Sequence, residues 1–171
     1  CRTAMGKRML RHWLCYPLRD RPRIEQRQRV VGAIVDDPRL GDGLQAALDE
    51  VQDIQRIASR IAIGRPSPRD LVALGGSVEH VDALGELLAE RPAFAEMQGQ
   101  FAELAPALGE LGDTLRAACV DSPPAHLREG GLIRDGYDSQ LDEARGLQRD
   151  ASQWLADYQK QLIDETGIER L

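Results

Sequence analysis

Aromatic residues make up only 4% of this 171-residue sequence, and there are just three cysteines. Aromatics and β-branched runs are what half-buried pleated surfaces favour, so their scarcity argues against a sheet-rich fold. Cys1, Cys15 and Cys119 are too few and too scattered for a disulfide framework or a zinc site, and a cytoplasmic, reducing setting is expected. No stretch approaches the roughly 20 apolar residues of a membrane span. The charged N-terminus also lacks the apolar region of a signal peptide. The chain opens on Cys1 rather than Met, and a segment cut from a longer protein is expected.

What is abundant is Leu, Ala, Arg, Glu and Gln, the strong helix formers. The expected class is all-α: a multi-helix core over residues 1–136 and one long projecting helix over 137–171. Capping signals mark the helices. Thr3 can cap a first helix with Met5, Met9, Leu10, Trp13 and Leu14 on its apolar side, stopped by Pro17. Asp20 and Pro22 open a second, with Ile24, Val31, Ile34 and Val35 inward. Asp37-Pro38 starts a third with Leu40, Leu44, Ala47 and Leu48 at helical spacing. A fourth uses Ile54, Ile57, Ala58, Ile61 and Ala62, with Gly64 in the C-terminal cap position.

Ser67-Pro68-Arg69-Asp70 is the clearest start signal, and Leu71, Leu74, Val78, Val81, Leu84 and Leu88 follow as a stripe. Gly75-Gly76 weakens that helix by about 1 kcal/mol per glycine relative to alanine, so a kink is expected there. Phe94, Met97, Phe101 and Leu104 form a short amphipathic set, and Pro106 opens a further helix with Leu108, Leu111 and Leu115. From Tyr137 to Thr166 there is no proline, and only Gly146 interrupts the pattern. A helix of that length would span roughly 40–45 Å, more than a compact core requires, so it reads as a lever or arm.

The turn before it, GGLIRDGYDS, imitates a phosphate-binding loop. Gly131 and Gly136 have the spacing of the two glycines in G-x-x-x-x-G-K-[ST]. The next two positions are Tyr137 and Asp138, where a nucleotide loop needs Lys and Ser/Thr. A carboxylate there would repel a triphosphate, and no hydrophobic strand precedes the loop. The glycines instead supply positive-φ turns, and Asp138 or Ser139 caps the helix, with Glu143 near its positive end.

No other constellation carries chemistry. His12, His80 and His126 lack ligand spacing, and Cys15 and Cys119 fit as small packing residues. No catalytic, cofactor-binding or metal-binding residue is assigned, and no enzymatic activity is expected of these 171 residues. Charge is lopsided: residues 1–29 carry nine Lys/Arg against Asp20 and Glu25, while the remainder is strongly acidic, giving −6 overall. The basic end could meet nucleic acid, or the acidic body of its own fold. Trp13 could stack on bases, although its place beside Met9 and Leu10 favours packing.

Three stretches resemble one family. TAMGKRMLRHWLCYPLRDRPRIEQRQRVV (3–31) resembles the opening of the core domain of bacterial MutS proteins, the DNA mismatch-recognition ATPases. DIQRIASRIAIGRPSPRDLVAL (53–74) is similar to a second stretch of that domain, and GGLIRDGYDSQLDEAR (130–145) to a third. TGIERL (166–171) resembles the point where the long helix meets the DNA clamp. The resemblance implies the part of the core, or lever, domain that precedes the clamp. It would link clamp to ATPase mechanically and have no catalysis of its own.

For the parent protein the resemblance implies ATP and Mg, mismatched double-stranded DNA and a second MutS subunit. The 171 residues alone are expected to be monomeric. The family's mismatch-wedging aromatic, clamp contacts and nucleotide-binding residues have no counterparts here, and DNA-contacting residues are unassigned. Two other readings stay open from the residues: a free-standing helical protein–protein interaction module, and direct nucleic-acid binding through residues 1–29.

Overall fold

The computed structural model describes residues 1–166, and the TGIERL stretch after Thr166 lies outside the described residues. Among those residues the fold is all-α. The helices are α1 (Ala4–Cys15), α2 (Arg21–Val35), α3 (Pro38–Asp49), α4 (Ile54–Ala62), α5 (Pro68–Leu88), α6 (Ala95–Ala118) and α7 (Ser139–Thr166). Short 3-10 turns occupy Pro92–Phe94 and Leu127–Glu129. The one extended pairing described is an isolated antiparallel bridge between Cys119 and Ile133. Contacts group the chain into two compact units, Cys1–Ile133 and Arg134–Leu171.

Helix starts follow side-chain chemistry. Thr3, Asp20, Asp37 and Asp53 each accept a hydrogen bond from a backbone N–H three residues on, satisfying a donor that the first helical turn leaves orphaned. At α5 the arrangement is reciprocal: the Asp70 N–H donates to Ser67 Oγ, and the Ser67 N–H donates to Asp70 Oδ2 at 2.8 Å. Gly64 takes φ +69 beyond the end of α4, as its position predicts.

One helix start differs from the sequence expectation. Pro106 does not open a helix: α6 runs through it without a break from Ala95. An internal proline costs about 3 kcal/mol by losing one backbone hydrogen bond and crowding the preceding turn. Packing along α5, the most extensive helix pairing in the first unit, offsets that cost. α5 spans Gly75-Gly76 as a single helix. Gly75 sits where α6 comes close, since a Cβ there would lie 3.2 Å from Leu115 Cβ. Gly112 on α6 answers it, with a virtual Cβ 3.4 Å from Val78 Cγ1. The two small residues let the backbones approach.

The core has two centres. Leu40, Leu88 and Phe94 form one, flanked by Val30, Ala33 and Ile34 of α2 and by Phe101 of α6. Ala118, Cys119 and Leu132 form the other, against Leu71 and Val72. The inward face of α2 is therefore Val30, Ala33 and Ile34, while Val31 and Val35 are exposed, contrary to the expected register. On α1, Met9, Leu10 and Leu14 are also exposed, and on α4 Ile57 is the buried residue of the expected set. Cys119 packs as expected, whereas Cys15 is exposed. Periodicity locates an apolar face but cannot say which neighbour covers it.

The lopsided charge is partly consumed within the first unit. Arg8 grips Asp53 with two hydrogen bonds, at 2.6 and 2.7 Å, and Arg2 pairs with Asp49. The Arg27 guanidinium lies 3.5 Å above the centroid of the Trp13 ring, so one face of that indole is occupied by a cation within the fold. Thus the basic end does meet its own acidic body.

Candidate functional site

The turn at 130–136 answers the question its glycines pose. Gly130, Gly131 and Gly136 all have positive φ, at 71°, 73° and 86°. Gly130 has ψ −169°, a combination that is essentially restricted to glycine. Nothing in the chain lies within 4 Å of a virtual Cβ at any of the three, so backbone conformation selects glycine here rather than close approach of a neighbouring segment. A Gly130→Ala substitution is expected to destabilise the first unit by about 1–3 kcal/mol through backbone strain. Urea unfolding followed by circular dichroism measures it.

The first half of this turn is pinned to the first unit. The Val120 N–H donates to the Leu132 carbonyl at 2.9 Å, and the Leu132 side chain is buried against Ala118 and Cys119. Residues after it belong to the launch of α7. Asp138 Oδ1 accepts from the Leu141 N–H at 2.9 Å, so Asp138 is the cap and Ser139 is the first helical residue. Tyr137 is about half exposed. The two positions where a nucleotide loop would place its lysine and hydroxyl therefore hold an exposed phenol and a carboxylate engaged in capping.

Signals that the sequence reading missed lie in the same segment. The Gly136 N–H donates to Asp142 Oδ2 at 2.8 Å. Arg145 Nη1 donates to Asp135 Oδ1 at 2.8 Å and lies 3.8 Å from Asp142 Oδ1. The i,i+3 pair of Asp142 and Arg145 is legible as helical spacing. Its reach back into the turn is not.

The second stretch, 53–74, has its own clasp. Asp70, besides completing the capping box, receives Arg60 through both oxygens, one bond being 2.8 Å from Nε. The Arg60 guanidinium holds the Asp70 carboxyl well below the usual carboxylate range, against the opposing cost of burial. Asp53 is lowered to about 2, first by its hydrogen bonds from Arg8. Both carboxylates are thus structural anchors: Asp53 joins α1 to α4, and Asp70 joins α4 to α5.

Because both folded pKa values lie below the unfolded value of about 4, the stabilisation is complete above that pH and is lost as pH falls through the folded values. The urea midpoint is expected to hold steady from pH 7 to 5 and drop steeply between about pH 4 and 2. Asp53→Asn should lower the plateau and flatten that drop. A drop of unchanged steepness in the variant would count against Asp53 as a contributor.

The histidines stay apart. His12 lies against Tyr16 with the rings tilted by 36° and their centroids 4.9 Å apart, His80 is half-buried on α5, and His126 is exposed before the second 3-10 turn. Among the described residues, no three His, Cys, Asp or Glu side chains are grouped to hold a metal ion. No described helix is long and apolar enough to cross a membrane.

Along α7, Leu147, Trp154, Leu155 and Tyr158 are exposed. Trp154 and Tyr158 stack with ring centroids 5.3 Å apart and planes 4° from parallel.

Comparison with known proteins fits this architecture. A family model described as MutS domain III matches residues 1–169. The DNA mismatch repair protein MutS of Synechococcus sp. is 41% identical over 172 residues, covering 99% of this chain and 19% of the relative. The protein of the same name from Salinibacter ruber is 38% identical, covering 99% of this chain and 18% of the relative. That from Symbiobacterium thermophilum is also 38% identical, with 99% and 19% covered. The chain thus spans about a fifth of the length of these curated relatives. With the match running through all three clasped stretches, the chain belongs to the MutS domain III family.

Proposed function

We propose that this chain is the core and lever segment of a DNA mismatch repair protein. Here α7 acts as an arm that links a DNA clamp to an ATPase domain elsewhere in the polypeptide. The observation that carries this reading is the geometry of α7. It is one uninterrupted 28-residue helix, about 42 Å long at 1.5 Å per residue. A rigid rod of that length turns a small rotation at its base into a large displacement at its tip. Apolar residues exposed along α7 would meet other parts of the parent protein.

The chemistry would lie outside this segment. ATP and Mg would bind the ATPase domain of the parent, mismatched double-stranded DNA would bind through the clamp and mismatch-reading parts, and a second subunit would complete the assembly. Within these 171 residues the proposed role is mechanical and non-catalytic.

The test is to break the rod in the full-length polypeptide. Ala151 is exposed midway along α7, and Ala151→Pro interrupts the helix without removing a buried contact. Basal ATP hydrolysis and DNA binding are expected to persist while ATP-dependent release of mismatched DNA slows by an order of magnitude or so, equivalent to a coupling loss of about 1.4 kcal/mol. Release that remains as ATP-dependent as in the unmodified protein would sink the lever reading.

A further inference from the structure

Glycines between a core and a long helix invite the reading that the chain bends there. The contacts around α7 point elsewhere. A hinge needs residues whose φ and ψ can change while their neighbours stay put. Gly136 has the right chemistry, at φ 86°, but its N–H is held by Asp142 Oδ2 at 2.8 Å, from within the first turn of α7. Asp135 on its other side is held by Arg145, one helical turn further along. Asp138 is held by the Leu141 N–H, and the Tyr137 N–H closes onto the Arg134 carbonyl at 3.4 Å.

Any one exposed ion pair here would count for little. This is a network, however: the Arg145 side chain is only 22% exposed and serves two carboxylates, one of which also caps a backbone N–H.

We infer that residues 135–145 form a closed elbow, so that Gly136 moves as one body with α7 and does not serve as a hinge at the helix's base. Gly136 sets the shape of the elbow, and Asp142 and Arg145 lock it. The consequence for a lever depends on the function proposed above, but the clasp itself does not.

Amide hydrogen exchange of the full chain, read residue by residue by NMR without nucleotide or DNA, tests it. Gly136 is expected to exchange about tenfold more slowly than an unstructured glycine, the scale of one hydrogen bond to a charged group. Asp142→Ala and Arg145→Ala should each speed Gly136 exchange by about fivefold to tenfold while amides beyond Leu147 keep their rates. Asp142→Asn, which retains an acceptor oxygen, should recover part of the protection. An unprotected Gly136 in the unmodified chain would overturn the inference, as would indifference of Gly136 to Asp142→Ala. Because no nucleotide or DNA is present, a failed lever test would leave this result untouched, and the reverse holds too.

Discussion

Truncating Phe94 to alanine is expected to destabilise the first unit by about 3–5 kcal/mol, the usual cost of removing a buried aromatic ring from a packed core. Phe94 is 2% exposed, and it lies in the short turn that reverses the chain between α5 and α6. Its ring packs with Leu40 of α3 and Leu88 of α5, while Phe101 and the inward face of α2 close around them. One side chain therefore joins four helices. The same corner is held by polar contacts: Arg91 Nη1 donates to Asp37 Oδ2 at 2.8 Å, and Gln98 donates to the Leu88 carbonyl. Those contacts survive in the variant and limit how far the cavity can collapse. A urea midpoint shift shows the loss directly. A cost below about 1 kcal/mol, the level of an ordinary surface substitution, would mean that Phe94 is not part of the core.

The second large effect comes from adjacent glycines with opposite roles. Gly75→Leu is expected to cost at least about 1–3 kcal/mol, because α6 leaves no room for a side chain there. Even a Cβ would stand 3.2 Å from Leu115 Cβ, and a leucine must push the helices apart or find a strained rotamer. Gly76→Ala should do the reverse. That position is exposed, with nothing within 4 Å of a virtual Cβ, so the helix gains about 0.5–1 kcal/mol from the better helix former. Measuring both by urea unfolding provides an internal control. Equal signs for the two substitutions would contradict the close approach of α5 and α6.

These two glycines also show where sequence reasoning stops. Read from composition and propensity, Gly75 and Gly76 are interchangeable weak points, and a kink is the natural expectation. Their difference depends on Leu115, forty residues away in sequence, and on the pairing of α5 with α6. Pro106 makes the same point. Its local chemistry says that a helix begins there, and packing along α5 instead carries one helix through it.

Local signals were more dependable where the physics is local. Thr3, Asp20, Asp37 and Ser67 all cap the helices they were expected to open, because a capping bond closes within three residues. The glycine turn was legible as a turn, and Tyr137 and Asp138 were legible as departures from the Lys and Ser/Thr of a nucleotide loop. Family resemblance was legible too, through 3–31, 53–74 and 130–145. What those stretches do physically was not. Arg8 finds Asp53 across 45 residues, Arg60 finds Asp70 across ten, and Arg145 reaches back across ten to Asp135.

By itself, then, the sequence determined that the chain is helical, where most of its helices start, that Tyr137 and Asp138 stand where a nucleotide loop needs Lys and Ser/Thr, and which family it resembles. Each of these rests on interactions within one or two turns of chain, or on a pattern of residue identities. Only the tertiary structure decided which face of α2 is inward, why Gly75 must be glycine, that Pro106 is spanned, and that the turn before α7 is clasped. Those depend on which distant segments come within a few ångströms of each other, and packing and ion-pair energies fall away too steeply with distance for spacing along the chain to reveal them.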